Sequence, residues 1–297
     1  MSKLSENLGK RFIYTSEIAP PKGTDLTKFK EELKALKKIY PKLCGINVVD
    51  IPGSILLMSS IGASIMVKQA GMDPIYQVTC RDRNVFGLQA DLLTASAFGI
   101  ENILALTGDH PSCRSSDHPK AKPVYDLDST SLIECMKRMN KGADMAGNKL
   151  YGKTNFFIGA ALAQTPKPIE PEIYKTKRKL DAGAQFFQTQ AVFDTKQMWN
   201  FFDKYEKTFN EDIRKKVLVG LVSLYDYEIV KFIKTIPNVI IPEKIERRIK
   251  NAKDAFIEGT DITIEYIDEC KEQEVGGVHV MSAGNTDTLI RVFENVK

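Results

Sequence analysis

A single-domain (β/α)8 barrel accounts for this sequence, and three observations lead to it. Short apolar runs, each the length of a buried strand, alternate with stretches of helical period along all 297 residues. No weak linker interrupts the alternation, so nothing marks a domain boundary. Neither a G-x-G-x-x-G after the first strand nor a G-x-x-x-x-G-K-[ST] occurs, and those are the turns that announce an open doubly wound sheet. Eight parallel strands with helices over their outer faces close without edges.

The first strand is read at 12–19 and must stop at Pro20-Pro21, because proline neither pairs nor continues a helix. A helix follows at 26–40, with Phe29, Leu33, Leu36 and Ile39 forming one apolar stripe. The second strand is 45–51, and Ser54 is expected to cap a helix ending near Gly71. Strand three, 74–80, returns through a helix at 84–98 closed by Gly99. Strand four, 103–106, runs into the turn Thr107-Gly108-Asp109-His110-Pro111. Residues 112–124 lack any apolar period and form a loop long enough to reach over a ligand. A helix at 128–140 leads to the fifth strand, 156–163, whose small residues Gly159, Ala160 and Ala161 are expected to keep the barrel mouth open. Helix 171–183, strand 186–193, helix 195–209 and strand 216–224 continue the pattern. Short helices at 226–236 and 242–251, a long one at 261–274, the eighth strand at 277–282 and a last helix at 285–296 complete it.

The totals narrow the function classes. Lys and Arg number 42 against 38 acids, a formal charge of +4 that is too small and dispersed to point to nucleic acid. No apolar run approaches a membrane span, and the amino terminus lacks the apolar core of a signal peptide, so a cytoplasmic protein is expected. The five cysteines include no C-x-x-C pair and the three histidines have no ligand spacing, which speaks against zinc and for reduced thiols.

In a barrel of this kind the reactive face is built from the carboxyl ends of the strands. Those ends offer Glu17, Asp50, Gln77 with Thr79, Asp109, Gln164, Gln188 with Gln190, Ser223 with Tyr225 and Tyr227, and His279. Any single Gln here is as well read as a satisfied core group. Glu17 and Asp109 carry more weight, since each follows apolar residues and is locked by a proline within three residues. Two acids in different surroundings let one donate a proton while the other keeps its charge. Lys175, Lys177, Arg178 and Lys179 lie together on the helix after the fifth strand; they form either a solvated face or a grip for a phosphate-bearing cofactor.

The motifs S-E-I-A-P-P-K, Q-V-T-C, A-L-T-G-D-H-P, K-R-K-L-D-A-G-A, T-Q-x-x-F-D and P-N-V-I-I-P, in this order over nearly the whole chain, resemble the methylenetetrahydrofolate reductase family in its short bacterial or archaeal form. The resemblance implies a ping-pong reduction of 5,10-methylenetetrahydrofolate on FAD, with NADH, NADPH or a reduced protein partner as donor. It makes Glu17 the general acid and Asp109 the acid beside flavin and folate. Gln190 and Tyr227 would bind the pterin. Gln77, Thr79, Leu106, Thr107, Gly108, Asp109, Tyr125, Ala160, Lys175, Arg178 and Lys179 would hold FAD. A homo-oligomer and a redox partner subunit are expected, with no nucleic-acid or membrane partner. The chain departs from the family pattern at Val49, Gln77, Thr107 and Asn285, where Thr, His, Arg and Arg are usual. These departures bear on the donor, the flavin potential and the pterin tail. A methanopterin reductase, a corrinoid-dependent methyltransferase barrel and an electron-transfer subunit are the other readings.

Overall fold

The computed structural model describes residues 1–236 and 239–296. It is a closed barrel in which strands β1 to β8 follow one another around the ring in chain order, every pair parallel. The order is α1 (Lys3–Asn7), β1 (Ile13–Ile18), α2 (Thr27–Ile39), β2 (Ile46–Val48), α3 (Ser60–Gln69), β3 (Pro74–Thr79), α4 (Val85–Ala97) and β4 (Asn102–Leu106). It continues with α5 (Ser129–Met139), β5 (Phe157–Leu162), α6 (Glu170–Ala182), β6 (Phe186–Ala191), α7 (Thr195–Phe209) and β7 (Val217–Val222). After β7 come α8 (Tyr227–Ile233), α9 (Glu243–Asn251), α10 (Ala255–Glu272), β8 (Gly277–Met281) and α11 (Thr286–Asn295). Pro237 and Asn238, which open the P-N-V-I-I-P motif, and Lys297 lie outside the described residues.

Alternation along each strand sorts side chains between two environments. One parity, for example Ile46, Tyr76, Ile103, Ile158, Val219 and Val278, faces outward into a core shared with the helices. The other faces the lumen, whose floor is Ile13, Ile75, Leu104, Phe186 and Leu218, sealed from below by Leu4 of α1. That plug is held by Ser2 Oγ donating to Asn102 Oδ1 (2.5 Å) and by the Lys3 N–H on Asp73 Oδ2 (3.3 Å). One layer up the lumen turns polar, with Thr15, Asn47, Gln77, Gln188 and His279 all buried.

Several expectations need correcting. β2 has three residues instead of seven, because Ile51 takes φ +48° ahead of Pro52 and leaves the ladder. Ser54 does not cap the following helix. It sits at φ +57°, its hydroxyl donates to the Asp109 carbonyl (3.1 Å), and α3 begins six residues later. Gly159 serves the floor and not the mouth, since a Cβ there would lie 2.2 Å from the Phe186 ring. α10 begins at Ala255, where Asp254 accepts from the N–H groups of Phe256 and Ile257, a cap ahead of the expected start at 261.

Candidate active site

Glu17 has the lumen parity of Ile13 and Thr15 and stands near the open end of β1. Its carboxylate is 20% exposed and Oε2 lies 3.6 Å from Nε2 of His279, which is fully buried. Beneath it, His279 Nδ1 meets the Thr15 hydroxyl (3.1 Å) and Asn47 Nδ2 (3.3 Å), and Gln77 Nε2 donates to Asn47 Oδ1 (3.1 Å). Gln77 is thus part of the polar layer under Glu17.

The turn after β4 is held from three sides. Gly108 takes φ +93°, and a Cβ there would come within 3.0 Å of the Cβ atoms of Thr79 and Arg81, so only glycine fits both the backbone and the space. The Tyr125 hydroxyl donates to the Gly108 carbonyl (3.2 Å), and Thr107 Oγ1 accepts the Ser129 N–H (3.2 Å). Asp109 is exposed, and the nearby Pro111 is not what holds it. Its freedom is limited instead by the Gly53 N–H on Oδ2 (2.9 Å) and by Arg81 Nη1 on its carbonyl (3.2 Å). Thr107, Gly108, Asp109 and Tyr125 are therefore brought together, with Leu106 at the strand end beside them.

Asp50, a strand-end acid in the sequence, is a framework group. It is buried and paired with Arg83 Nη1 (2.8 Å), and it accepts from Ser60 Oγ (2.8 Å) and from both the N–H and hydroxyl of Thr79 (2.9 Å each). Burial works against the Arg83 charge, but Asp50, with Tyr76 and Asp91 behind it, outweighs burial and holds the guanidinium above its ordinary pKa. The Thr79 hydroxyl hydrogen is consequently already committed.

On α6 the basic residues divide. Lys179 is buried and its Nζ donates to the Ala161 carbonyl (2.7 Å); Lys175 pairs with Glu172 (2.5 Å); Lys177 turns to Asp181 and Glu211. Arg178 is exposed and has no hydrogen-bond or ion-pair partner among the described residues, acting on Asp128 only through space. Ala160 is a correction, because it has the outward parity and its side chain is fully buried in the core, one residue out of phase with the mouth. Gln190 is exposed near the end of β6, within the register shift between Gln188 and Ala191 that interrupts the alternation. Tyr227 is tied to the α8–α9 pair, its hydroxyl donating to Glu246 (2.9 Å) between the ammonium groups of Lys231 and Lys250.

Sequence reasoning missed Arg81 and Asn47. Arg81 is 1% exposed and joins the Ile51 carbonyl, the Ser54 hydroxyl and the Asp109 carbonyl, so it fastens the β2 and β4 turns together. The available signal was the pair of arginines directly after β3, which a buried strand-end acid such as Asp50 requires nearby.

The sequence model of the methylenetetrahydrofolate reductase family matches residues 3–297. The chain belongs to the methylenetetrahydrofolate reductase family. The 5,10-methylenetetrahydrofolate reductase of Buchnera aphidicola is 25% identical over 303 residues, covering 98% of this chain and 94% of that protein. A probable methylenetetrahydrofolate reductase (NADPH) of Caenorhabditis elegans is 29% identical over 192 residues, covering 63% of this chain and 26% of the relative. The chain thus spans about a quarter of that first relative and nearly all of the bacterial one. An uncharacterized Clostridium thermocellum protein, described as binding two copies of 5-methyl-5,6,7,8-tetrahydrofolic acid, has the same fold, with TM-score 0.64 at 17% identity over 98% of this chain and 94% of that one.

The residues present in this methylenetetrahydrofolate reductase family barrel suit a flat, anionic cofactor. Gly108 carries no side chain on the β4 turn, and Arg178, next to the buried Lys179, is a cation without a hydrogen-bond or ion-pair partner among the described residues. Side-chain atoms of two strand-borne residues, Gln164 Oε1 and Gln188 Oε1, are buried without a hydrogen-bond partner among the described residues. Orphaned polar atoms of this kind are costly unless something meets them.

Proposed function

We propose that the chain reduces 5,10-methylenetetrahydrofolate to 5-methyltetrahydrofolate in the cytoplasm, with FAD as resident cofactor and NADH, NADPH or a reduced protein partner as donor. The observation that carries this is the end-to-end family match together with Glu17 at the lumen rim and Asp109 on the β4 turn. Leu106 to Asp109, Gln77, Thr79 and Tyr125 would lie along the ring system, and Lys175, Arg178 and Lys179 would take the diphosphate. The bound flavin supplies the hydride. Glu17 gives its proton to N10 of the pterin, which opens the five-membered ring to a cation at N5. Asp109, its charge held in place by the Gly53 N–H, stabilises that cation. Gln190 and Tyr227 bind the pterin, which requires Tyr227 to present its ring while its hydroxyl stays on Glu246.

The test starts with the purified protein. It is expected to be yellow, to bleach anaerobically with one of the three donors, and to regain colour with methylenetetrahydrofolate while 5-methyltetrahydrofolate accumulates. Arg178→Ala is expected to fold and purify pale. A colourless wild type, or a reduced flavin indifferent to the pterin, rejects the reading.

Lys179 adds a pH dependence with two signs. Burial first, and the Lys175 charge second, bring its ammonium down to about 8. A lysine with a lowered pKa binds fewer protons folded than unfolded, so the apoprotein gains stability from this group as pH rises from about 8 towards its ordinary value. For an anion at Lys179 the trend reverses, because the charge that holds it fades over the same interval. Flavin titrations of apoprotein between about pH 7 and pH 9 are expected to show weakening affinity, flattened in Lys179→Met. A flat wild-type curve separates Lys179 from the cofactor.

A further inference from the structure

The functional reading leaves His279 without a task, although its Nε2 lies 3.6 Å from the acid. The two ring nitrogens face different partners. Gln77 donates to Asn47 Oδ1, which turns the Asn47 NH2 towards His279 Nδ1. An amide NH2 only donates, so Nδ1 is the acceptor and the neutral ring carries its proton on Nε2. Nε2 is buried, has no hydrogen-bond partner among the described residues, and lies 3.6 Å from Glu17 Oε2. Glu17 from β1 is the charged group facing the ring. β2 and β3 contribute the amides, β1 the Thr15 hydroxyl, and β7 the glycine Gly220 registered opposite.

We propose that His279 is a positioning residue for the acid. Its tautomer is fixed from β3 through β2, and its Nε2–H orients the Glu17 carboxyl group. In the proton transfer the Glu17 O–H bond breaks, an N10–H bond forms from the N10 lone pair, and the O–H electron pair remains on Glu17 as carboxylate charge. The Nε2–H closes onto that new charge, a stronger acceptor than the neutral acid it replaces. Glu17 is thereby a better donor and is aimed at one place. This rests on Glu17 being the acid of the proposed reaction.

Two substitutions separate the two sides of the ring. His279→Asn keeps an amide near the Nδ1 position and ends short of Glu17; His279→Gln can place an NH2 where Nε2 was. In the holoprotein both are expected to retain flavin and normal reduction by donor. Reoxidation by methylenetetrahydrofolate is expected to fall about ten- to a hundredfold in His279→Asn, with the alkaline limb of its pH profile moved to higher pH, and to stay within a few-fold in His279→Gln. Equal rates and equal profiles in the two variants overturn the proposal. Independently of turnover, nitrogen-15 histidine spectra of the wild type, with His279 assigned by its absence in His279→Asn, are expected to show the Nε2-protonated tautomer and a change on Glu17→Gln. An Nδ1-protonated ring overturns the proposal whatever the rates. If wild type fails to reoxidise with the pterin, the functional reading falls, and the Nε2–H contact is judged on these spectra.

Discussion

Glu17→Gln is expected to leave flavin content and reduction by donor near wild type and to slow reoxidation by methylenetetrahydrofolate by about 10²- to 10⁴-fold. The amide keeps the size of the side chain and can still reach His279, so the lost property is the proton. Neither flavin binding nor donor oxidation uses that proton, which is why the two half-reactions are expected to part. Stopped-flow traces of each half, recorded on one preparation, check it. Normal reoxidation, or loss of flavin instead, makes Glu17 a strand-end acid of structural use only.

The second large effect is on stability. Asp50→Ala is expected to destabilise the fold by about 3–5 kcal/mol, the usual cost of removing one member of a buried ion pair. Arg83 keeps Asp91 (2.8 Å) and the Thr79 carbonyl (3.4 Å), while the Thr79 N–H, the Thr79 hydroxyl and the Ser60 hydroxyl lose their acceptor. Urea midpoints at unchanged slope measure the loss. Removing both charges in Asp50→Ala with Arg83→Met is expected to recover part of it, since the stranded guanidinium is then gone. A loss below about 1 kcal/mol means that water replaces the carboxylate and the pair is not structural.

The barrel was legible because its cues are local and repeated. The α2 stripe and the helices read from Asn84 and Asp128 survive into the structure. Ser54 was misread for the same reason. Cap preference is a neighbourhood rule, and the partners that fix Ser54 are Arg81 and Asp109 from other strands. Glu17 and Asp109 could be found because strand ends are recognisable, but the direction of a side chain is not a local property. Ala160 lost its place at the mouth by one residue of phase, and Tyr227 is engaged by a helix that begins sixteen positions later. The pairing of Asp50 with Arg83 spans 33 residues, and the amide chain that sets the His279 tautomer runs from β3 through β2 to β8. No spacing in the sequence records either.

The plug beneath the barrel has a consequence for traffic. With Leu4 set into a floor of Ile13, Ile75, Leu104, Phe186 and Leu218, the tunnel through the ring is a well with one doorway. In the proposed reaction, whatever delivers reducing power and whatever collects it would have to use that same doorway, and neither could arrive from behind while the other is seated. Each visitor therefore obstructs the next, and an excess of either one slows the exchange on which both depend.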